Sequence, residues 1–209
     1  KNIQLAETLR SISKNNIKDF YQGFIARDIV ETLNELGGVH TMNDFENQKT
    51  IFSESLSNSY KGNIIHQCPP NGPGITVLLM MKIIEKLNIE KYQSMSFERF
   101  HIEAEVTKQA YKLREDNIGD PQFNDIDIDS ILSSNLINNI LKNISINNCY
   151  NIGNLKIPAH PETTYLTGVD KDLNAVSFIN SICYAFGSGI TTNNSGILLQ
   201  NRGVNFRLE

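Results

Sequence analysis

The periodicity of the sequence changes once, at Pro161-Glu162-Thr163-Thr164-Tyr165-Leu166-Thr167-Gly168-Val169-Asp170, and that change constrains everything around it. Ahead of it, apolar residues recur at helical spacing. Behind it, short β-branched and aromatic runs alternate with period two and are punctuated by glycine. Two adjacent threonines sit at the switch. A threonine hydroxyl is a poor nucleophile until something takes its proton. If the chain were cut between Glu162 and Thr163, the new α-amine of Thr163, with a pKa near about 7.7–8.0, could serve as that base. Residue type alone leaves the matter open, because β-branched residues also belong at the start of a strand.

Bulk properties exclude several classes. The 209 residues suffice for one large domain or two small ones, and 40% hydrophobic with 20% charged residues is an ordinary globular balance. A net charge of −4 recommends neither nucleic acid nor an anionic membrane as partner. No apolar run approaches the roughly 20 residues of a transmembrane helix. Cys68, Cys149 and Cys183 are odd in number and lack CxxC spacing, which argues against a disulfide framework or a zinc site. No metal or other cofactor is expected. The compartment stays open, with the cytoplasm favoured.

In chain order, Leu5, Leu9 and Ile12 predict a first helix, and Ile25, Ile29, Leu33 and Leu36 a second one stopped by Gly37-Gly38. Two strands are expected between Ile51 and Cys68. The breaker Pro69-Pro70-Asn71-Gly72-Pro73-Gly74 precedes a helix through Leu87 and matches neither a P-loop nor a dinucleotide fingerprint, so it reads as a rigid turn. A longer helix spans about Ser96 to Glu115, with His101 and Glu105 one turn apart as an exposed pair rather than metal ligands. Asp125, Asp127 and Asp129 lack the glycine and distal glutamate of a calcium loop and read as a solvated acidic loop. Ile131 to Ile146 is expected to be helical and Asn147 to His160 a polar connector. Past the switch, strands are expected at Thr164–Val169, Ala175–Ile179 and Gly196–Leu199, with a glycine-hinged loop at Ala185–Ile190.

The order of motifs adds what no single motif carries. The relevant blocks are Ala26 to Asp44 with Gly37-Gly38, Pro69-Pro70 with its glycines, and His101-Ile102-Glu103-Ala104-Glu105 through Gly119-Asp120-Pro121. Thr163-Thr164, Val169 to Val176, Phe186-Gly187-Ser188-Gly189 and Ser195-Gly196-Ile197-Leu198-Leu199 follow. Together they resemble the γ-glutamyltransferase family over nearly the whole chain, leaving only about Leu132 to Pro161 unmatched. The resemblance implies an α+β fold, the αββα sandwich of the Ntn hydrolases, made as a precursor that cuts itself before its catalytic threonine. Residues 1–162 would be the mainly helical end of a large subunit, and 163–209 the β-rich start of a small one. The two subunits, derived from one precursor, would stay together. Thr163 matches the nucleophile and Thr164 the threonine beside it. Ser181 falls where the family has a threonine whose hydroxyl bonds the nucleophile's oxygen. The implied reaction opens a γ-glutamyl or related amide of a small molecule through an acyl ester on Thr163, then passes the acyl group to water or an amine.

Departures cluster where the substrate's amino-acid end would be held. The family commonly has asparagine at Cys183, Gln or Glu at Arg202, and aspartate at Asn205; a histidine usual after the two threonines is Tyr165 here. Asn205 can accept a hydrogen bond from an α-ammonium but brings no charge. The stretch Gln200 to Phe206 therefore resembles a divergent, acylase-like branch, for which glutathione is not assumed. The family's oxyanion-hole glycines and paired serines lie downstream of anything matching Glu209, and its carboxylate-binding arginine upstream of Lys1. The chain is thus expected to be the middle of a longer protein. The alternatives are a non-catalytic or truncated homologue that keeps the fold, and an amidohydrolase for a different acyl group.

Overall fold

The computed structural model describes residues 1–15, 17–151, 153 and 163–205. The later part of the connector, Glu162 on the far side of the expected cut, and the side chain of Asn205 lie outside the described residues. The chain forms two compact units, residues 51–156 and a discontinuous one built from residues 1–50 and 157–209.

The continuous unit has an apolar core. Its helices are α5 (Gly74–Leu87), α6 (Phe97–Asn117), α7 (Ile128–Ile131) and α8 (Ser134–Leu141), preceded by a hairpin of β1 (Leu56–Tyr60) and β2 (Asn63–Gln67). Lys61 and Gly62 make the hairpin turn, both at positive φ (48° and 78°), the backbone that a two-residue antiparallel turn requires. Ile75, Leu79 and Ile83 of α5 interlock with Ile102, Val106 and Ala110 of α6 and with Ile137 and Ile140 of α8. Each large side chain so buried contributes about 1.5–3 kcal/mol. The expected helix over Ile131–Ile146 is broken into α7 and α8. Ser133 stops the first and caps the second, its hydroxyl accepting from the Leu136 N–H at 3.2 Å. Nor is the acidic stretch only a loop, because Asp127 caps α7 by accepting from the Ser130 N–H at 2.8 Å.

The discontinuous unit joins α1 (Ile3–Asn15), α2 (Lys18–Gln22), α3 (Phe24–Glu35) and α4 (Met42–Glu46) to β3 (Thr164–Val169), β4 (Ala175–Asn180) and the loop beyond. The double glycine ends α3 as expected. Gly37 N–H bonds to Asn34 O at 3.0 Å and Gly38 N–H to Leu33 O at 2.8 Å, with Gly37 at φ 87°, the Schellman pattern. Asp44 Oδ2 accepts from Thr41 N at 2.7 Å and opens α4. β3 and β4 pair antiparallel from Thr164↔Asn180 to Val169↔Ala175. The strand expected at Gly196–Leu199 reduces to one bridge, Thr191↔Leu198, because Gly196 at φ 66° turns the chain out of the extended conformation.

Candidate active site

The β3–β4 ladder ends at Thr164↔Asn180, and Thr163 and Ser181 are the next residues of the chain outward from that pair. Thr163 and Thr164 are exposed. Ser181 Oγ accepts from the Cys183 N–H at 2.9 Å. Cys183 is buried and holds φ at 82°, a region that asparagine enters more readily than cysteine. Arg202, exposed in a short 3₁₀ turn, donates from Nη2 to Ser181 O at 3.1 Å, so a guanidinium is tied to the backbone carbonyl of the residue that carries the hydroxyl. Ser181, Cys183 and Arg202 thus form one connected group at the end of β4.

That group is fastened to the rest of the unit by the loop running back to the helices. Asn201 N–H bonds to Ile182 O at 3.2 Å and Asn201 Oδ1 accepts from Tyr184 N–H at 3.1 Å. Ser188 N–H bonds to Leu199 O, and Leu199 N–H to Ile190 O, both at 2.9 Å. Earlier in the loop the chain meets a residue that sequence reasoning missed, Asp28 of α3, which is 1% exposed. Its Oδ2 accepts from Ser195 N–H and Ser195 Oγ–H, both at 2.6 Å, and its Oδ1 from Asn194 Nδ2 at 2.8 Å and Asn194 N–H at 3.1 Å. Burial raises the Asp28 carboxyl pKa, and the bonds from Ser195 and Asn194 outweigh it, leaving the group below the usual carboxylate value. A signal was present in the sequence: Asp28 and Thr32 fall on the same helical face as Ile25 and Ile29, two polar residues inside an apolar stripe.

A cavity of about 1060 Å³ opens in this unit between the helices and the loop. Phe20, Ile29 and Phe45 form one wall, and Ile182, Ile197 and Leu199 another; Ser181 is on its lining. The His101–Glu105 pair, in the other unit, is not the exposed pair expected. Glu105 is 1% exposed, because Lys108 Nζ lies 2.5 Å from Oε1 and Tyr150 N–H donates to Oε2 at 3.1 Å. His101 Nε2 lies 2.8 Å from Ser145 O, and donor atoms of His101, Glu105 and Cys149 come within 4.8 Å of one another. With both carboxylate oxygens and one ring nitrogen engaged, the group ties α6 to the 145–150 segment. Among the described residues, no helix is long and apolar enough to cross a membrane.

Helices and antiparallel hairpins, with a threonine leading the strand that pairs toward Ser181, make an α+β chain of the Ntn-hydrolase type. The whole of it, residues 1–209, matches the model of the gamma-glutamyltranspeptidase family, and the chain belongs to that family. It is 34% identical to the glutathione hydrolase-like YwrD proenzyme of Bacillus subtilis (strain 168), covering 99% of this chain and 39% of that protein. It is 31% identical to the glutathione hydrolase proenzyme of Escherichia coli (strain K12), covering 97% of this chain and 36% of that one. Among solved structures, a cephalosporin acylase from Bacillus halodurans superposes with a TM-score of 0.81 at 28% identity, over 99% of this chain and 37% of its own. The chain therefore spans well under half the length of the relatives it matches.

Proposed function

We propose that this chain carries the maturation site and nucleophile of a γ-glutamyltransferase-like N-terminal-threonine hydrolase or acyltransferase. The observation that carries the reading is the β3–β4 register, in which Thr164 pairs with Asn180 and the residues one step outward are Thr163 and Ser181. Cleavage of the Glu162–Thr163 bond would end the large-subunit-like part, residues 1–162, and start the small-subunit-like part, residues 163–209. The freed α-amine takes the proton from Thr163 Oγ1 as that oxygen attacks the amide carbonyl of a small-molecule substrate. The amine of the substrate leaves with the proton, and an ester to Thr163 remains. Water or a second amine then attacks the ester and restores the hydroxyl. In this reading Ser181 would donate to the Thr163 oxygen and orient it, and Thr164, Cys183, Arg202 and Asn205 would be the residues that select the acyl group.

Full-length protein incubated to completion yields two fragments, the smaller beginning at Thr163 by mass spectrometry, and Thr163→Ala stays intact. Wild type that remains one chain, indistinguishable from Thr163→Ala, would overturn the reading.

One observation favours a second acyl group over the γ-glutamyl. Arg202 is held beside Ser181, and neutral Asn205 replaces the aspartate that would pair with an α-ammonium. On this reading the enzyme is an acylase for an acyl chain ending in a carboxylate. The matured protein then cleaves glutaryl-p-nitroanilide faster than γ-glutamyl-p-nitroanilide, which differs only by the α-ammonium. The opposite order returns the assignment to a γ-glutamyl donor.

A further inference from the structure

The two stretches on either side of the proposed cut meet at one buried carboxylate. We propose that Asp28 is the anchor by which the helical segment keeps hold of the nucleophile-bearing segment once the chain between them is cut. The inference rests on the maturation just proposed but needs only that the connector be severed.

Asp28 is the centre of a polar network that closes without a mismatch. Ser195 Oγ has one proton and gives it to Asp28 Oδ2, so at its other contact, 2.7 Å from Thr192 Oγ1, it accepts. Thr192 Oγ1, donating there, keeps its lone pairs for Ile197 N–H, from which it accepts at 2.9 Å. The directions of the Ser195 and Thr192 hydroxyl protons thus follow from the charge on Asp28. Around it, Asn2, α1 and α3 bond further groups of the loop backbone. Thr8 Oγ1 donates to Ser195 O at 2.8 Å, Asn2 Nδ2 to Gly196 O at 2.9 Å, and Asn193 N–H to Thr32 Oγ1 at 3.2 Å. The segment beyond the cut presents donors and acceptors in one order, residues 192–197, and the helices present the complement.

The carboxylate is the member that cannot be exchanged. Its two oxygens receive donors from both Asn194 and Ser195, so an amide in its place turns an NH₂ toward N–H and O–H groups already aimed at it. Such a buried mismatch costs more than the loss of one bond. Asp28 touches no substrate in this scheme; it is a positioning residue, acting through Ser195 and the loop on the group at Ser181.

The test uses the full-length protein after cleavage, with the affinity between its two fragments measured by dilution or graded urea. Wild type that does not cut itself refutes the proposed maturation, and a protease site inserted ahead of Thr163 then supplies the cut, so the anchor is still tested. Expected are fragment dissociation constants about 100-fold weaker for Asp28→Asn and about tenfold weaker for Ser195→Ala, with the double variant no weaker than Asp28→Asn. That lack of additivity distinguishes an anchor acting through Ser195 from a general loss of packing. Fragment affinity in Asp28→Asn within threefold of wild type, with helix content retained by circular dichroism, overturns the proposal, as does full additivity with Ser195→Ala.

Discussion

Two aspartates gather hydrogen bonds from the segment after the switch, and they reach very different distances. Asp170, in the β3–β4 turn, accepts from Asp172 N–H and Asn174 N–H at 2.9 Å and from Asn174 Nδ2 at 2.8 Å, all within four residues of itself. Asp28 accepts a larger set, and from residues 166 and 167 positions away. The first shapes only its own turn, as Asx motifs do. The second decides where a loop sits. The surroundings follow the same division. Both faces of the β3–β4 hairpin are exposed, Phe178 at 51% and Ile179 at 64% among them, while Thr192 and Ser195 are buried. An isolated two-stranded hairpin is marginal in water. The candidate nucleophile thus leads a strand whose described contacts are mainly to its own partner, whereas the residues leading to Arg202 are pinned to two helices.

The substitution with the largest expected effect on that contrast is Gly196→Ala. Gly196 holds φ at 66°, and a Cβ there would lie 2.6 Å from Asn2 Oδ1, 2.8 Å from Leu5 N and 2.9 Å from Gln4 Cβ. Backbone strain and the clash with the start of α1 together are expected to cost about 2–4 kcal/mol, read from urea unfolding. A loss below about 1 kcal/mol would mean that the loop is not held where the network around Asp28 puts it.

Acid separates the two carboxylates next. Asp28 has its folded pKa lowered, so its contribution is fully present above the ordinary value of 3.8 and is lost as pH falls through the folded one. The stability gap between wild type and Asp28→Asn should therefore stay constant from pH 7 to about 4 and close below that. Asp170 is lowered too, by the bonds from Asn174, yet it is exposed and its partners are local. Asp170→Asn should open a much smaller gap at every pH. Equal gaps for the two variants in matched urea titrations would erase the distinction between a local and a long-range carboxylate.

What is legible in the sequence follows the same line. Local signals carry through to the structure: the helix stop at Gly37-Gly38, the two strands between Ile51 and Cys68, and the strands on either side of Asp170 all depend on neighbours in sequence. The family is legible too, because its motifs keep their order, and the match over residues 1–209 bears that out. Asp28 is not, since its partners are loop amides with no pattern of their own, and only the polar break in the α3 stripe hints at it. Glu105 escapes for the same reason, its burial depending on Tyr150 N–H far along the chain. The strand expected at Gly196–Leu199 has the right residue types. It fails because a single glycine at positive φ, needed for the approach to α1, outweighs β propensity.

The smallest expected effect is the most exacting for the comparison. Gly168, the last residue but one of β3, has an ordinary strand backbone, and a Cβ placed on it would meet no atom within 4 Å. Alanine there restricts the unfolded chain and meets nothing in the folded one, so Gly168→Ala should leave stability within about 0.5 kcal/mol of wild type, on the stabilising side. The two glycine substitutions thus add the same methyl group to the same segment, one against α1 and one into open space. A loss of more than about 1 kcal/mol in Gly168→Ala would show that the hairpin face packs against something in solution, and the contrast with the anchored loop would fail. Agreement with wild type would instead leave the order of Thr163 dependent on whatever the full-length protein lays against Leu166, Val176 and Phe178.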